Sequence, residues 1–286
     1  PTFDNFEGIT LDGDGTGQYE SQITGLTPET TYYLRAWAKN EAGVGYSSVI
    51  VFETPAPGTG EPCFGMTTLT DPRDGSIYPI VEIGGRCWMA DNLAWLPEVN
   101  DYRERFGNVD KYFVQGYTGS NVEEAKATAY YQNYGVQYTW YAALGACPEG
   151  WSLPTEDEWQ ALADTMGGKY IRSGTKLKSC RDVYSPYGEG CQTTEHPRWE
   201  SFNLPDYSYG TDDYGFSGLP GGGIDYNESS VYLTTPGRTA QWWSSTNNGD
   251  ETTWIMMLSY SYGAPAFPRV SIFSGYNVRC VKTLTK

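Results

Sequence analysis

Apolar and polar residues alternate along several short stretches of the chain, and glycine, proline and asparagine bound these stretches. Alternation with a period of two residues is typical of β-strands that bury one face. The pattern therefore predicts strands near both ends of the chain, including a hairpin with a two-glycine turn at residues 84–85. The predicted strands cover residues 19–24, 31–38, 48–52, 77–83, 86–89, 241–245, 252–258, 269–273 and 277–282.

A helical period occurs at residues 155–166. Thr155 is suited to the N-cap position, and Glu158, three residues later, completes a capping box. One face of the predicted helix is apolar and carries Trp159, Leu162, Ala163 and Met166. A second, shorter helix is predicted at residues 121–131, with Ser120 or Asn121 as its cap.

The chain divides by composition into two predicted domains, 1–54 and 62–286. Residues 55–61 between them are rich in proline and glycine and have no apolar period, which is typical of a linker. The first domain is predicted to be an antiparallel β-sandwich piece. The second has no internal repeat and no alternating helix–strand rhythm, which favours an α+β fold with long loops, the longest at 170–232.

Charge and length narrow the classes of function. The chain has 35 acidic and 19 basic residues, a net charge of -16. Such an acidic chain is a poor partner for nucleic acid or an anionic membrane. No apolar run is long enough to span a bilayer, so this segment is not expected to insert into a membrane.

Candidate catalytic and cofactor-binding residues are scarce. The single histidine, His196, lies in a polar segment where a loop-bracing or solvent-exposed role is the better interpretation. The glycines at 221–223 lack the lysine of a phosphate-binding loop, and the carboxylates at 12–15 lack the glutamate that completes a calcium loop. We therefore expect no enzyme activity, no metal and no cofactor.

Six cysteines occur without a CxxC pair, a pattern that favours disulfides in an oxidising compartment over a zinc site. Cys63 and Cys87 flank the predicted hairpin and are expected to clamp it. Cys180 and Cys191 are expected to staple part of the long loop region.

Five ordered phrases of the second domain resemble one family. They are residues 83–93, 147–159, 215–223, 243–246 and 278–281. Together they are similar to the Fibrobacter succinogenes major paralogous domain of secreted or surface proteins in Bacteroidetes-type bacteria. The resemblance implies a C-type lectin-like fold, in which the terminal strands meet and long loops cover one side. Related domains with that fold act as binding receptors, while the function of the family itself is loosely defined.

A bridge between Cys147 and Cys280 is expected on physical grounds as well. Cys147 precedes the capped helix and Cys280 lies in the last predicted strand, so the bond would close a long loop and stabilise the domain by about 5 kcal/mol in the chain-entropy model. The remaining cysteines then pair as above, although six cysteines also allow other connectivities.

Residues 26–32 of the first domain resemble the corner of a fibronectin type III domain. The hydroxyl of Tyr32 would tie the connecting loop back to the backbone. The resemblance covers about the C-terminal half of such a domain, so we expect the missing strands and further domains upstream.

Aromatic residues of the second domain are predicted to serve two roles. Trp88, Trp151, Trp159 and Trp243 lie within the family phrases and are expected in the core. A second set near the C-terminus mixes aromatic and small polar residues, as antibody paratopes do. Its members are Trp242, Asn247, Asn248, Asp250, Thr252, Tyr260, Tyr262, Phe267, Phe273 and Tyr276. Because strand residues alternate between faces, only about half of them can face outward.

These features favour a noncatalytic recognition or adhesion protein, secreted or displayed on the bacterial cell surface. Its partner would be an unknown glycan or protein bound by the C-terminal strands and loops. The acidic, amide and proline strings of calcium-dependent lectins are absent from the sequence, so a calcium-mediated sugar site would need another geometry. The alternative is a structural module of a surface or fimbrial assembly. A catalytic relative would require an exposed reduced cysteine or a bound metal.

Overall fold

A computed structural model describes residues 2, 8–10, 13–17, 21, 30–53, 62–104, 108–168, 172–179, 199–200, 210–226, 230–247 and 249–283. The chain forms two compact units, Pro1–Gly65 together with Lys286, and Met66–Thr285. The predicted linker, all of the predicted strand at 19–24 except residue 21, and the pair Cys180 and Cys191 lie outside the described residues. No described helix is long and apolar enough to cross a membrane.

The described strands of the first unit form two antiparallel pairs. Tyr32 lies opposite Phe52, and their rings stack with centroids 5.9 Å apart. The predicted strand at 31–38 is two strands, because the chain turns at Arg35, whose Nε donates a hydrogen bond to the Ser47 carbonyl at 2.9 Å. The strands are β1 (Thr31–Leu34) with β4 (Ile50–Glu53), and β2 (Trp37–Asn40) with β3 (Gly43–Tyr46). The loop that Tyr32 would hold at the predicted corner lies outside the described residues.

A four-stranded antiparallel sheet brings the beginning and the end of the second unit together. Its central hairpin has the predicted bounds and turns at Gly84 and Gly85, which adopt φ of 61° and 71°. Such angles favour glycine. The last strand pairs with the second strand of this hairpin. In spatial order the sheet contains β16 (Val281–Thr283), β7 (Arg86–Met89), β6 (Ile77–Ile83) and β5 (Thr68–Thr70).

A second four-stranded antiparallel sheet is built from the C-terminal part of the chain. β13 is its centre and pairs with all three other strands. The register of β12 and β13 shifts between Trp243 and Asn247. The strands are β12 (Thr239–Asn247), β13 (Thr252–Ser259), β14 (Tyr262–Ala266) and β15 (Arg269–Ser271).

Two short antiparallel pairs complete the described strands. One pair, at residues 223–226 and 231–234, lies partly within the region at 170–232 that the sequence pattern predicts as loop. A strand there is short and contains glycine and aspartate, which weakens the strand pattern. The pairs are β8 (Tyr112–Phe113) with β9 (Gln137–Tyr138), and β10 (Gly223–Tyr226) with β11 (Val231–Thr234).

Four short α-helices occur in the described residues. The predicted capping box is confirmed: the Thr155 hydroxyl accepts from the Glu158 amide, and the Glu158 carboxylate accepts from the Thr155 amide. The single helix predicted at 121–131 is instead two helices, because Thr128 caps a new one. The helices are α1 (Val122–Lys126), α2 (Ala129–Tyr134), α3 (Trp140–Leu144) and α4 (Glu156–Thr165).

Tryptophan forms the centre of the second unit's core. Trp159 of α4 lies with its ring centroid 4.9 Å from that of Trp88 and 6.0 Å from that of Trp242. Trp243 packs on the opposite side of β12, against Tyr276 at 4.7 Å. These large rings are fully buried, and burial of that much apolar area is the main source of stability here. The core prediction is confirmed for Trp88, Trp159 and Trp243.

A buried arginine links the two sheets. The Arg279 guanidinium lies 4.3 Å from the ring centroid of Phe216 and 5.2 Å from that of Trp242. Its nitrogens donate to the Met89, Phe216 and Ser217 carbonyls and to Oδ1 of Asn92. Burial lowers the pKa of Arg279 to about 10, so it keeps its charge at neutral pH.

Cys147 and Cys280 are joined by a disulfide with Cα atoms 5.8 Å apart, which confirms that predicted pair. Cys63 and Cys87 each take part in a disulfide. The second unit is thus a β-rich fold with short helices, fixed by buried indoles, Arg279 and a long-range disulfide. The C-type lectin-like and fibronectin type III-like assignments stay predictions.

Candidate recognition surface

Two of the predicted contact residues are core residues. Trp242 and Tyr276 are fully buried. Trp242 donates its indole N–H to Oδ1 of Asn92 at 2.8 Å. The Tyr276 hydroxyl donates to the Asp225 carboxylate, and burial raises the pKa of both groups. The prediction that these two rings contact a partner is wrong, because each is enclosed between strands and satisfied there.

The other predicted aromatics differ in how much surface they present. Tyr260 and Phe267 are half-buried against the Trp242 side of the core, and Phe273 is half-buried against the Trp243 side. Tyr262 begins β14 and is 50% exposed. Tyr262 is therefore the most accessible aromatic of the predicted set. Asn248 lies outside the described residues.

The polar members of the set come together at the end of the C-terminal sheet. The Asp250 carboxylate accepts three hydrogen bonds, from the Thr252 amide at 2.9 Å, the Thr252 hydroxyl at 2.7 Å and the Arg269 guanidinium at 2.6 Å. Asn247 donates to the Asp250 carbonyl at 3.3 Å. Asp250 and Arg269 are nevertheless exposed, at 55% and 40% of their side-chain surface.

Trp254 completes this group. It lies directly opposite Arg269 in the β13–β15 register, and the Arg269 guanidinium is 5.8 Å from its ring centroid. Trp254 is half-buried. We call the five residues Asn247, Asp250, Thr252, Trp254 and Arg269 the Asp250 cluster.

Hydrogen bonding sets the charge state of the cluster. The Thr252 hydroxyl and the Arg269 guanidinium lower the pKa of Asp250 to about 2, although its side chain is exposed to solvent. Asp250 is thus charged over the whole neutral range and pairs with the Arg269 guanidinium. The cluster offers an aromatic ring, a cation, an anion and an amide whose positions are fixed before any partner arrives.

A surface groove of about 650 Å³ lies near the same end of β12. The strand contributes Ser245 to the groove and Asn247 to the Asp250 cluster. Trp151, which the sequence predicts to be core, is instead half-buried and lines this groove. The groove, which we call the Trp151 groove, is lined by Arg86, Leu144, Cys147, Trp151, Ser152, Leu153, Thr155, Asp157, Glu158 and Ser245.

Comparison with known families decides the identity of this unit. The model of the Fibrobacter succinogenes major domain matches residues 81–282. The chain belongs to this family. No curated protein and no solved structure matches the chain.

The sequence phrases that resemble the Fibrobacter succinogenes major domain contribute more residues to its buried core than to its surface. Arg279 and Cys280 in one phrase hold the two sheets and the disulfide together. Trp243 in another is buried core, whereas the Thr246 hydroxyl accepts from the Glu156 amide at the start of α4. Asp250, Thr252 and Arg269 lie within the match but outside these phrases.

Sequence reasoning missed two members of the Asp250 cluster in this Fibrobacter succinogenes major domain. Trp254 lies in an apolar run that gives no sign of an exposed edge, and Arg269 was counted only as the start of a strand. The signal available was the run of turn residues before β13, which places Thr252 and Trp254 at the strand's exposed end. No metal-ligand group of three His, Cys, Asp or Glu residues occurs in the described part of the domain.

Proposed function

We propose that this protein is a noncatalytic recognition or adhesion protein, secreted or displayed on the bacterial cell surface, that binds a glycan or a protein through the Asp250 cluster. Disulfides that close long loops favour an oxidising compartment, which supports this location. The pairing of β16 with β7 brings the terminal strands together, as the C-type lectin-like prediction expects. Such folds support binding without chemistry, but the fold alone does not assign a function.

One observation carries the proposal: the cluster is exposed and already ordered. Arg269 is held by Asp250 at 2.6 Å and by the Thr252 hydroxyl at 2.5 Å, beside the Trp254 ring. Arginine and tryptophan dominate binding energy in known interfaces. Side chains that are ordered beforehand lose less entropy when a partner binds. These are the properties expected of a contact surface.

The noncatalytic part of the proposal rests on where the paired titratable groups lie. Asp225 and Tyr276 have raised pKa values because they are buried, and each is the other's hydrogen-bond partner. Such a pair braces β10 against the sheet and does not line the groove. The exposed titratable group of the cluster, Asp250, has a lowered pKa that suits ion pairing better than proton transfer at neutral pH.

Glycan arrays and screens of candidate surface proteins test the proposal when combined with a matched pair of variants. We expect Arg269→Ala to weaken binding of the identified partner at least about tenfold, because it removes a central cation and frees Asp250. Arg103→Ala is the control, since Arg103 forms a similar exposed ion pair with Asp101 at 2.5 Å. The Arg103→Ala variant should leave the affinity for the partner unchanged.

The competing function is that of a structural module in a surface or fimbrial assembly without a small ligand. Complete absence of binding to glycans and proteins in these screens would favour the module. Equal affinity of the Arg269→Ala and Arg103→Ala proteins would show that the Asp250 cluster is not the contact surface.

A further inference from the structure

We propose that the Trp151 groove is a second binding site and that it takes a neutral carbohydrate. The groove is lined by different residues from those of the Asp250 cluster, so this inference does not depend on the function proposed above. Its volume of about 650 Å³ lies within the range of small-molecule sites, roughly 300–1,000 Å³. Its lining mixes hydrogen-bond donors and acceptors, which suits a neutral ligand better than an anion or a cation.

Anions are excluded by the way in which α4 begins. A helix N-terminus attracts anions through free amides, but here the Glu156 amide donates to the Thr246 hydroxyl at 2.9 Å and the Glu158 amide donates to the Thr155 hydroxyl at 3.1 Å. Three acidic side chains, at 156–158, also occupy the first turn. A phosphate or sulfate at this end of the groove would meet carboxylates rather than donors.

A cation satisfies only part of the lining, because donors line the groove beside the acceptors. Arg86 lies within the groove and is held by Glu158, with Nε 3.4 Å from Oε1. The Trp151 indole N–H has no hydrogen-bond partner among the described residues, although it lies on a half-buried ring. A lysine or arginine of a partner could pair with Asp157, but it would also meet Arg86 and would leave the Trp151 donor unsatisfied.

Hydroxyl groups match this mixture, since each donates one hydrogen bond and accepts others. The Asp157 carboxylate is exposed and has no partner among the described side chains, so it is available to accept from a sugar hydroxyl. Trp151 and Leu144 supply apolar surface for the C–H faces of a sugar ring. Ser152 and Ser245 place further hydroxyls at the rim.

The hydrogen bonding of the indole N–H groups distinguishes Trp151 from the buried tryptophans. Six buried indole N–H groups donate to acceptors inside the unit, those of Trp88, Trp140, Trp159, Trp199, Trp242 and Trp243. The half-buried indoles of Trp95, Trp151 and Trp254 have no such bond among the described residues, and of these three only Trp151 lines the groove, where its polar edge is available for a ligand. An indole with an apolar face and an open polar edge suits a surface that is wet on one side.

The groove is held rigidly, which favours binding. Cys147 lines it and is bonded to buried Cys280. The segment that follows is pinned by the Trp151 amide, which donates to the Pro148 carbonyl at 3.0 Å, and by paired backbone bonds between Ser152 and Val281 at 2.9 Å. The backbone that carries Trp151 therefore needs little ordering when a ligand arrives.

The test uses the whole chain and a printed array of neutral oligosaccharides, with uronic-acid and sulfated glycans and a lysine-rich peptide as comparison arms. Affinity for each hit is then measured by calorimetry on the wild-type protein and on Trp151→Ala and Asp157→Asn. Asp164→Asn is the matched control, because Asp164 is an exposed acid on the same helix that does not line the groove. The thermal transition of each variant is recorded alongside.

We expect at least one neutral oligosaccharide to bind with a Kd below about 10 mM. Asp157→Asn should weaken it about tenfold or more, as loss of a charged hydrogen bond does. Trp151→Ala should weaken it further, while Asp164→Asn and Arg269→Ala leave it unchanged. Because Asp157 is exposed, its variant should keep the wild-type transition even if Trp151→Ala does not.

The inference is overturned if no neutral glycan binds, if only the anionic glycans or the lysine-rich peptide bind, or if binding of the neutral glycan is insensitive to Asp157→Asn. Loss of binding in Arg269→Ala with full binding in Asp157→Asn would place the ligand on the Asp250 cluster instead. That result would support the proposed function and reject the groove.

Discussion

Arg279 shows how a charged side chain can act as a core residue. It is fully buried, stacks between Phe216 and Trp242, and donates to three carbonyls and an amide. No described carboxylate forms an ion pair with it; carbonyl oxygens accept its hydrogen bonds, and Asp91 and Asp212 favour its charged form from a longer distance. Burial is tolerated because nearly every donor of the guanidinium has an acceptor.

Removal of this side chain should therefore be costly. We expect Arg279→Ala to lower the free energy of unfolding by at least about 3 kcal/mol, because it leaves several buried carbonyls without donors and opens a cavity. Arg279→Lys keeps the charge but cannot reach the same acceptors, so it should lower the free energy of unfolding by a smaller but still measurable amount. Urea unfolding followed by tryptophan fluorescence measures both, and a wild-type midpoint for Arg279→Ala would disprove this role.

The Asp250 carboxyl gives a prediction that depends on pH. Its pKa is about 2, below the ordinary value of 3.8. The hydrogen bonds of the charged carboxylate to Thr252 and Arg269 are therefore fully present above pH 3.8 and are lost as the pH falls through about 2. Arg269→Ala should raise this pKa part of the way back, because the Thr252 bonds remain. A carboxyl-detected NMR titration measures the shift.

Asp101 provides the internal control for that titration. Arg103 lowers its pKa in the same way, so Arg269→Ala should leave the Asp101 midpoint where it is. If the Asp250 midpoint does not move either, Arg269 does not hold the carboxylate in solution.

Single residues are also where prediction from sequence was weakest. Trp242 and Trp243 are adjacent and should face opposite sides of β12, yet both are buried, because the second unit has core on both faces of that strand. Alternation assigns residues to faces but does not say whether a face is covered. The same limit explains why Trp151 was expected inside and Trp254 was not expected at the surface.

At the scale of elements, the sequence predicts boundaries correctly where turn or capping residues specify them locally. The hairpin of β6 and β7 has its predicted bounds because two glycines supply the turn, and α4 begins at Thr155 because the capping box is encoded within four residues. The sequence pattern does not predict α3 or the short strands β3, β5, β8, β9, β10, β11 and β14. These elements are short, and pairing with another strand or packing on the core stabilises them more than their own sequence pattern does.

The capping box of α4 should be measurable in isolation. Thr155→Ala removes the side-chain acceptor for the Glu158 amide and should lower the free energy of unfolding by about 1 kcal/mol. Thr155→Ser keeps that oxygen and serves as the control. Equal unfolding midpoints for the two variants in denaturant would show that the cap contributes nothing.

At the scale of the second unit, one covalent bond joins elements far apart in sequence. The Cys147–Cys280 disulfide spans 133 residues and ties the segment before α4 to the end of the chain beside β16. A double Cys147→Ala and Cys280→Ala variant should lose about 2–5 kcal/mol of stability through the greater freedom of its unfolded chain. Calorimetric scans of wild type and double variant check this, and indistinguishable transitions would contradict it.

The second unit has a buried tryptophan frame and a separate set of residues that are open to a partner. Oxidative footprinting of the native protein, read by mass spectrometry for each tryptophan with and without its partner, tests that separation most directly. We predict that Trp151 and Trp254 are oxidised in the free protein while Trp88, Trp159, Trp242 and Trp243 are protected, and that the partner of the Asp250 cluster protects Trp254. Oxidation of Trp242 as fast as Trp254, or a Trp254 rate that the partner leaves unchanged, would contradict the account.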